Sequence, residues 1–466
     1  MRIRVSGSTF LAAVIVACVA WLAFYSRGAM GREANKRMEQ QVEHGFFSGV
    51  VLASRDGKVI FERAYGMANA EEKIPNTLAT RFRIGSITKT FTAIMVMQLE
   101  GEHRIALTNS ICMYLDECPA GWSGITLHHL LSHTSGIPNY QMRGTGENET
   151  VEEMLARPPA QGEALARVRD EPVDFAPGER FDYSNTNYRL LAHVIEKVTE
   201  QSYEEAIQKR ILGPAGMRDT GMVHDWTTTP HAAIGYWMSR QGKIERAPVI
   251  DGGWSSGDGG LYSTVLDLQR FSDALDGDKL IPRAMLERMR SPIKDVYGYG
   301  WSIPVVSRLT LNRKQVNHGG ALPGFLSQFQ RFEAERVTLI VLSNEQVGTL
   351  SQAAQALGSA VFDEPFTPAY ERETVEVPEE VLKRYAGDYE IEGHVWVLYV
   401  RNGVLYARSK EQANPGPDIP LLPQSETMFF IKGTEGDITI FQDREGQATG
   451  LALNLGDGAR VAKKLH

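Results

Sequence analysis

Three short stretches of this chain hold residue types that could do chemistry together. In "RIGSITKTFT", Ser86 and Lys89 are three apart, so on a helix they share one face, one turn from each other. A serine at a helix start faces backbone N–H groups that favour developing negative charge. A lysine in apolar surroundings loses part of its proton affinity and becomes a usable base. In "FDYSNTNY", after the turn signal Pro177-Gly178, Tyr183 could act as a phenolate general base and Asn185 could hold a substrate amide. In "VNHGGALPGF", His318, Gly319 and Gly320 enter a strand, and glycines there mark close approach of a ligand or another backbone. The N–H of Ala321 and that of Ser86 could then form an oxyanion hole. Taken singly, each stretch has a bland counterpart: a capping serine with a solvated lysine, a loop tyrosine with a capping asparagine, an isolated histidine.

These residues need elements to hold them. "SGVVLASRDGKVIFERAYG" predicts two strands joined at the Asp56-Gly57 hairpin signal. "ITKTFTAIMVMQLEGE" is apolar on more than one face, which predicts a helix buried inside a domain with Ser86 at its start. "NYRLLAHVIEKVTEQ" and "YEEAIQKRIL" have helical periods, and "LSQFQRF" and "RVTLIVLSNE" have strand character. Strands, then helices, then strands imply that the first and last strands share one antiparallel sheet. The predicted class is α+β: an antiparallel sheet flanked by helices with a mainly helical insert, followed by a C-terminal β-barrel-like domain. The glutamate- and proline-containing "FTPAYERETVEVPEE" reads as a linker, and short strands follow it, with Asn402-Gly403 as a hairpin turn. The expected division is 1–30 export segment, 38–365 main domain, 366–378 linker and 379–466 β-rich domain.

The 466 residues are 42% hydrophobic and 23% charged with a net charge of -8, a globular composition that excludes general disorder. No long basic block offers a surface for nucleic acid, so a small-molecule or peptide substrate is expected. The N-terminus carries Arg2 and Arg4, an apolar run from Phe10 to Tyr25, then Ser26-Arg27-Gly28-Ala29. This is the layout of an export signal or a retained membrane anchor, with a loose lipoprotein-like match at Cys18. All three place the body outside the cytoplasm, periplasmic or anchored facing outward. Cys112 and Cys118 in "CMYLDEC" are the one pair left for the folded body, a small-loop disulfide in an oxidising compartment or else two free thiols. No oligomeric state follows.

Two other motifs compete. Gly253-Trp254-Ser255-Ser256-Gly257 fits G-x-S-x-G, but an elbow needs a strand before it and a helix after it, and neither flank reads so. His129 and His133 stand four apart as metal ligands could, without a nearby acidic third ligand. Neither metal nor cofactor is expected.

Together the order S-x-x-K, Y-x-N and [KH]-x-G resembles the serine β-lactamase and penicillin-binding protein superfamily, in its class C β-lactamase-like branch. "ITLHHLLSHTSGIP", "FAPGERFDYSN", "ILGPAGMRDTGM", "GDGGLYSTVLDLQRF" and "YGYGW" are further family-like phrases, so the resemblance spans about Phe46 to Asn344. It implies an acylated Ser86, Lys89 as its proton-transfer partner, Tyr183 as general base and Asn185 on the substrate amide. His318 takes the place of a lysine in class C β-lactamases, as in D-alanyl-D-alanine carboxypeptidases, D-aminopeptidases and some esterases of the branch. The resemblance therefore implies an exported serine hydrolase acting through an acyl-serine on D-amino acid peptides, esters or β-lactams, with weak β-lactam hydrolysis. The alternative is a non-catalytic or slowly deacylating penicillin- or peptidoglycan-binding protein. The trailing strands, with "LKRYAGDYE" and "MFFIKG", resemble a lipocalin-like domain.

Overall fold

The computed structural model describes residues 28–142, 151–160, 162–238, 243–294, 296–304, 306, 310–346, 350–368, 372–391, 394–410, 418–431, 437–454 and 459–465. The predicted export segment lies almost wholly outside them. Among the described residues no helix is long and apolar enough to cross a membrane.

A helix α1 at 28–43 precedes the hairpin β1 (Gly49–Arg55) and β2 (Lys58–Tyr65). Asp56 and Gly57 at its turn have φ of 54° and 70°, the left-handed pair that suits the twist of a tight hairpin. The short β3 (Phe82–Arg83) runs into a 3-10 turn at Gly85–Ile87 and then α2 (Thr88–Gly101). After shorter helices at Leu127–Leu131, Val151–Ala156 and Glu163–Ala166 comes α3 (Asn185–Thr199), and further on β4 (Leu261–Ser263) and α4 (Val265–Asp276). The unit closes with β5 (Val316–Leu322), β6 (Phe325–Phe332), β7 (Val337–Ser343) and α5 (Ser351–Val361).

As expected, the first and last strands share one antiparallel sheet, in the order β5-β6-β7-β1-β2. Side chains alternate across a strand, and here both faces are covered. Val50, Leu52, Ile340 and Leu342 pack toward Phe91, Ile94 and Met95 of α2. Val51, Ala53, Leu339 and Val341 pack toward Ala34 and Met38 of α1 and Ala353 and Leu357 of α5. The helix α2 is enclosed, with Phe91 through Met97 buried without a break, which is why its apolar residues occupy every face.

Further along the chain, α6 (Glu379–Tyr385) leads into eight strands that close a barrel. These are β8 (Gly387–Ile391), β9 (His394–Arg401), β10 (Val404–Ser409), β11 (Ile419–Pro423), β12 (Met428–Ile431), β13 (Asp437–Gln442), β14 (Ala448–Asn454) and β15 (Ala459–Lys464). The β9–β10 hairpin turns at Asn402-Gly403 as predicted, again with positive φ at both residues. Leu382 and Tyr385 of α6 join Leu398, Leu405, Leu421 and Phe429 in the barrel core. The Tyr389 hydroxyl donates to the Tyr385 carbonyl at 2.7 Å. Cys112 and Cys118 are disulfide-bonded, Cα–Cα 5.0 Å.

Candidate active site

The site forms where the turn before α2, the loop before α3 and the edge strand β5 meet. Gly85 has φ +50°, a conformation that glycine adopts without a steric penalty. That bend lets the turn approach β5: a Cβ placed on Gly85 would stand 3.1 Å from the Ala321 amide nitrogen. From the other side, a Cβ on Gly320 would stand 2.0 Å from the Ile84 carbonyl oxygen. The Ser327 hydroxyl of β6 donates to that same carbonyl at 2.8 Å. Glycine at 320 is thus a packing requirement, and the amides of Ser86 and Ala321 lie on neighbouring segments. Ser86 sits in the 3-10 turn, one turn ahead of the regular helix, and is half-buried.

Lys89 is fully enclosed. Its ammonium nitrogen lies 3.0 Å from Ser86 Oγ, 2.7 Å from Asn185 Oδ1 and 2.6 Å from the Asp258 carbonyl oxygen, so each of its three donor positions has an acceptor. Burial, only partly opposed by the Asp258 charge, lowers its pKa from 10.5 to about 7. An amine with that affinity exchanges its proton near neutrality and can take the one on Ser86.

Tyr183 is partly exposed, with its ring under Lys89 Nζ at 4.9 Å. Its hydroxyl bonds to Ser86, yet burial pushes its pKa well above 10, and the Ser86 contact offsets only part of that. The sequence suggested a phenolate. The surroundings favour the neutral phenol, because nothing cationic reaches the ring strongly enough to overcome desolvation. Of the two groups flanking Ser86, Lys89 is the one poised near neutral pH.

Asn185 opens α3. Besides accepting from Lys89, it donates from Nδ2 to Gln141 Oε1 at 2.6 Å. Gln141 in turn reaches the Tyr140 hydroxyl, which lies 2.8 Å from the Trp254 carbonyl oxygen and 3.0 Å from Asp258 Oδ2.

His318 is 5% exposed. Its Nδ1 is 2.7 Å from the Gly319 carbonyl oxygen, and a carbonyl only accepts, so Nδ1 carries the proton. Its Nε2, 2.9 Å from the Tyr297 hydroxyl, is then the acceptor. Burial and the nearby Lys89 charge lower its pKa from 6.5 to about 3. It is a neutral imidazole with both nitrogens engaged inside the protein.

The structure therefore brings Ser86, Lys89, Tyr183, Asn185, His318, Gly319, Gly320 and Ala321 to one place. Sequence reasoning missed Gln141, Tyr297 and Asp258. The "YGYGW" phrase pointed near Tyr297, whereas the Asp258 contact to Lys89 is a backbone carbonyl with no side-chain signature. The competing motifs dissolve. Ser255 follows a 3-10 turn at Gly252–Trp254, is 5% exposed, and has neither a strand leading in nor a helix leading out. His129 accepts from the Thr126 amide in a capping box while His133 accepts from the Ser184 amide. Among the described residues no group of three or more His, Cys, Asp or Glu side chains could hold a metal ion.

Comparison with known proteins points the same way. Residues 34–361 match the Beta-lactamase family. Penicillin-binding protein 4* of Bacillus subtilis is 30% identical over 434 residues, covering 85% of this chain and 91% of that protein. A D-aminopeptidase of Gluconobacter oxydans is 28% identical, over 67% of this chain and 58% of its own length. Among solved structures, an octameric penicillin-binding protein homologue from Pyrococcus abyssi superposes with a TM-score of 0.64 at 27% identity, over 93% of this chain and 99% of that one. A D-stereospecific amidohydrolase from Streptomyces sp. gives 0.58 at 28%, over 70% and 98%. With a family match over residues 34–361 and a relative 30% identical over 85% of its length, the chain belongs to the Beta-lactamase family, among the serine hydrolases of the β-lactamase and penicillin-binding protein superfamily.

Proposed function

We propose that the protein hydrolyses D-amino acid peptides, amides or esters through an acyl-Ser86 intermediate, outside the cytoplasm. The observation that carries this is the buried Lys89 amine 3.0 Å from Ser86 Oγ with its pKa near 7. Ser86 Oγ attacks the acyl carbon and its proton passes to Lys89. The developing oxyanion is met by the Ser86 and Ala321 amides. Lys89, or Tyr183 as a neutral phenol beside it, returns the proton to the departing amine or alcohol. Water then attacks the ester and the same groups run in reverse. Asn185, held by Gln141 and Lys89, keeps one amide hydrogen for the substrate.

The relatives named for D-amino acid substrates favour that acyl class. A neutral His318 offers no cation to the carboxylate of a β-lactam, which favours amides and esters over β-lactams. Export is supported by the Arg-then-apolar N-terminus and by the disulfide. The test is turnover of a chromogenic cephalosporin, a short-chain p-nitrophenyl ester, a D-amino acid amide and a D-Ala-D-Ala peptide, with intact-mass analysis of the acylated protein. Ester or D-amino acid turnover should lead, with the label on Ser86 and none on Ser86→Ala. Cephalosporin turnover above all others removes the substrate assignment. Penicillin acylation of Ser86 without turnover of anything makes the protein a binder.

A further inference from the structure

Tyr183 and Asn185 act from a stretch that has no regular structure until α3 begins at Asn185. Something must fix Asp182–Ser184, since a loop tyrosine without backbone restraint would not hold its hydroxyl on Ser86. The restraint comes from His133. Its carbonyl oxygen accepts from the Asp182 amide at 2.9 Å, and its ring Nδ1 accepts from the Ser184 amide at 3.2 Å. Between these bonds the Tyr183 ring lies on the imidazole, with centroids 4.3 Å apart and planes tilted by 34°.

His133 reaches both amides because its backbone is left-handed, φ 54°, a conformation uncommon outside glycine and enriched in His, Asn and Asp. Asn187 supports the ring from behind. Its Oδ1 accepts from Ser135 Oγ at 2.6 Å, which turns its Nδ2 to Nδ1 of His133 at 3.2 Å. An amide only donates, so Nδ1 is unprotonated and the proton of the neutral ring sits on Nε2. That nitrogen is buried without a hydrogen-bond partner, among the rings of Phe181, Tyr183, Tyr188 and Tyr297. Leaving it unpaired is unfavourable. A residue that served packing alone would be better as phenylalanine, and the acceptor at Nδ1 is what phenylalanine lacks.

We propose that His133 is a positioning residue: it clamps the backbone on both sides of Tyr183 and so sets Tyr183 and Asn185 against Ser86. This rests on the acyl-serine reading above. Two amide variants separate the nitrogens. His133→Asn places an oxygen close to where Nδ1 stands and tolerates left-handed backbone. His133→Gln places its oxygen nearer Nε2 and leaves the Ser184 amide unmatched.

The measurements are the rate of Ser86 acylation by p-nitrophenyl acetate, kcat and KM, the Tm, and amide hydrogen exchange across residues 182–187. The Asn variant should acylate within about threefold of the natural protein. The Gln variant should fall on the order of 10²-fold in kcat with a smaller change in KM, as expected for a misplacement of about 1 Å. Exchange at the Ser184 amide should be slow in the natural protein and the Asn variant and fast in the Gln variant. Equal acylation by two folded variants overturns the clamp, as does exchange of Ser184 at exposed-loop speed in the natural protein. A natural protein that never acylates Ser86 refutes the acyl-serine reading instead, and the Ser184 exchange then decides the clamp alone. Should the Gln variant not fold, the natural protein and the Asn variant decide it by the same exchange.

Discussion

The titration of Lys89 can be read directly from the rate of Ser86 acylation. An unperturbed lysine with a pKa near 10.4 is unprotonated in only about 0.04% of molecules at pH 7. At a pKa of about 7 the neutral fraction is near one half, so burial raises the reactive form by roughly three orders of magnitude. Acylation by a p-nitrophenyl ester, followed by stopped flow from pH 5 to 9, should rise about tenfold per pH unit below the midpoint and level off above it. Lys89→Met, which keeps the volume and removes the amine, should lower the plateau by about 10²–10⁴-fold. Stability gives an independent reading with a definite sign. A folded-state pKa below the unfolded one means that between about 7 and 10.5 the unfolded chain binds more protons, so this group's contribution to stability rises with pH across that window. Lys89→Met should flatten that rise and, by removing a buried ionisable group, leave the protein at least as stable at pH 6. A rate still rising about tenfold per pH unit at pH 9, or no limb between 5 and 9, refutes the assignment of Lys89 as proton acceptor.

Three further outcomes are expected. His318→Lys should shift kcat/KM from esters toward cephalosporin, because it puts a cation where the buried imidazole is neutral; an unchanged ratio in the substrate panel counts against it. Gly320→Ala should lower Ser86 acylation on the order of 10²-fold, since the added methyl meets the Ile84 carbonyl and the Ser327 hydroxyl and drives β5 from the turn; an acylation rate within threefold of the natural one would show that the approach is loose. Cys112 and Cys118 should resist alkylation in purified protein until reduced, and reduction should lower stability by about 2 kcal/mol for so short a loop; immediate alkylation of both removes the bond.

What was legible in the sequence is what local spacing carries. Ser86 and Lys89 share a helical turn, Tyr183 and Asn185 share a loop, and His318 to Ala321 share a strand, so each pair announced itself in four residues or fewer. The sheet was legible because β7 is buried at every position and the β1–β2 hairpin turns at Asp56-Gly57. The pieces assembled from distant segments were not. Gln141 matters only through Asn185, and Tyr297 only through His318. His133, weighed in the sequence only as half of a metal pair that lacked a third ligand, was left without a role because its partner is a backbone amide, and amides leave no trace in composition. The helix α6 has seven residues and β11 carries Pro420 and Pro423, too short and too proline-rich for periodicity to find.

The closure of the C-terminal barrel has a consequence of its own. Leu382 and Tyr385 pack among the inward side chains of the strands, so α6 belongs to the barrel it precedes. A closed ladder spends its backbone hydrogen bonds internally. Whatever this barrel meets, it therefore offers no free strand to pair with, and recognition falls to its side chains and loops, where single substitutions can find it.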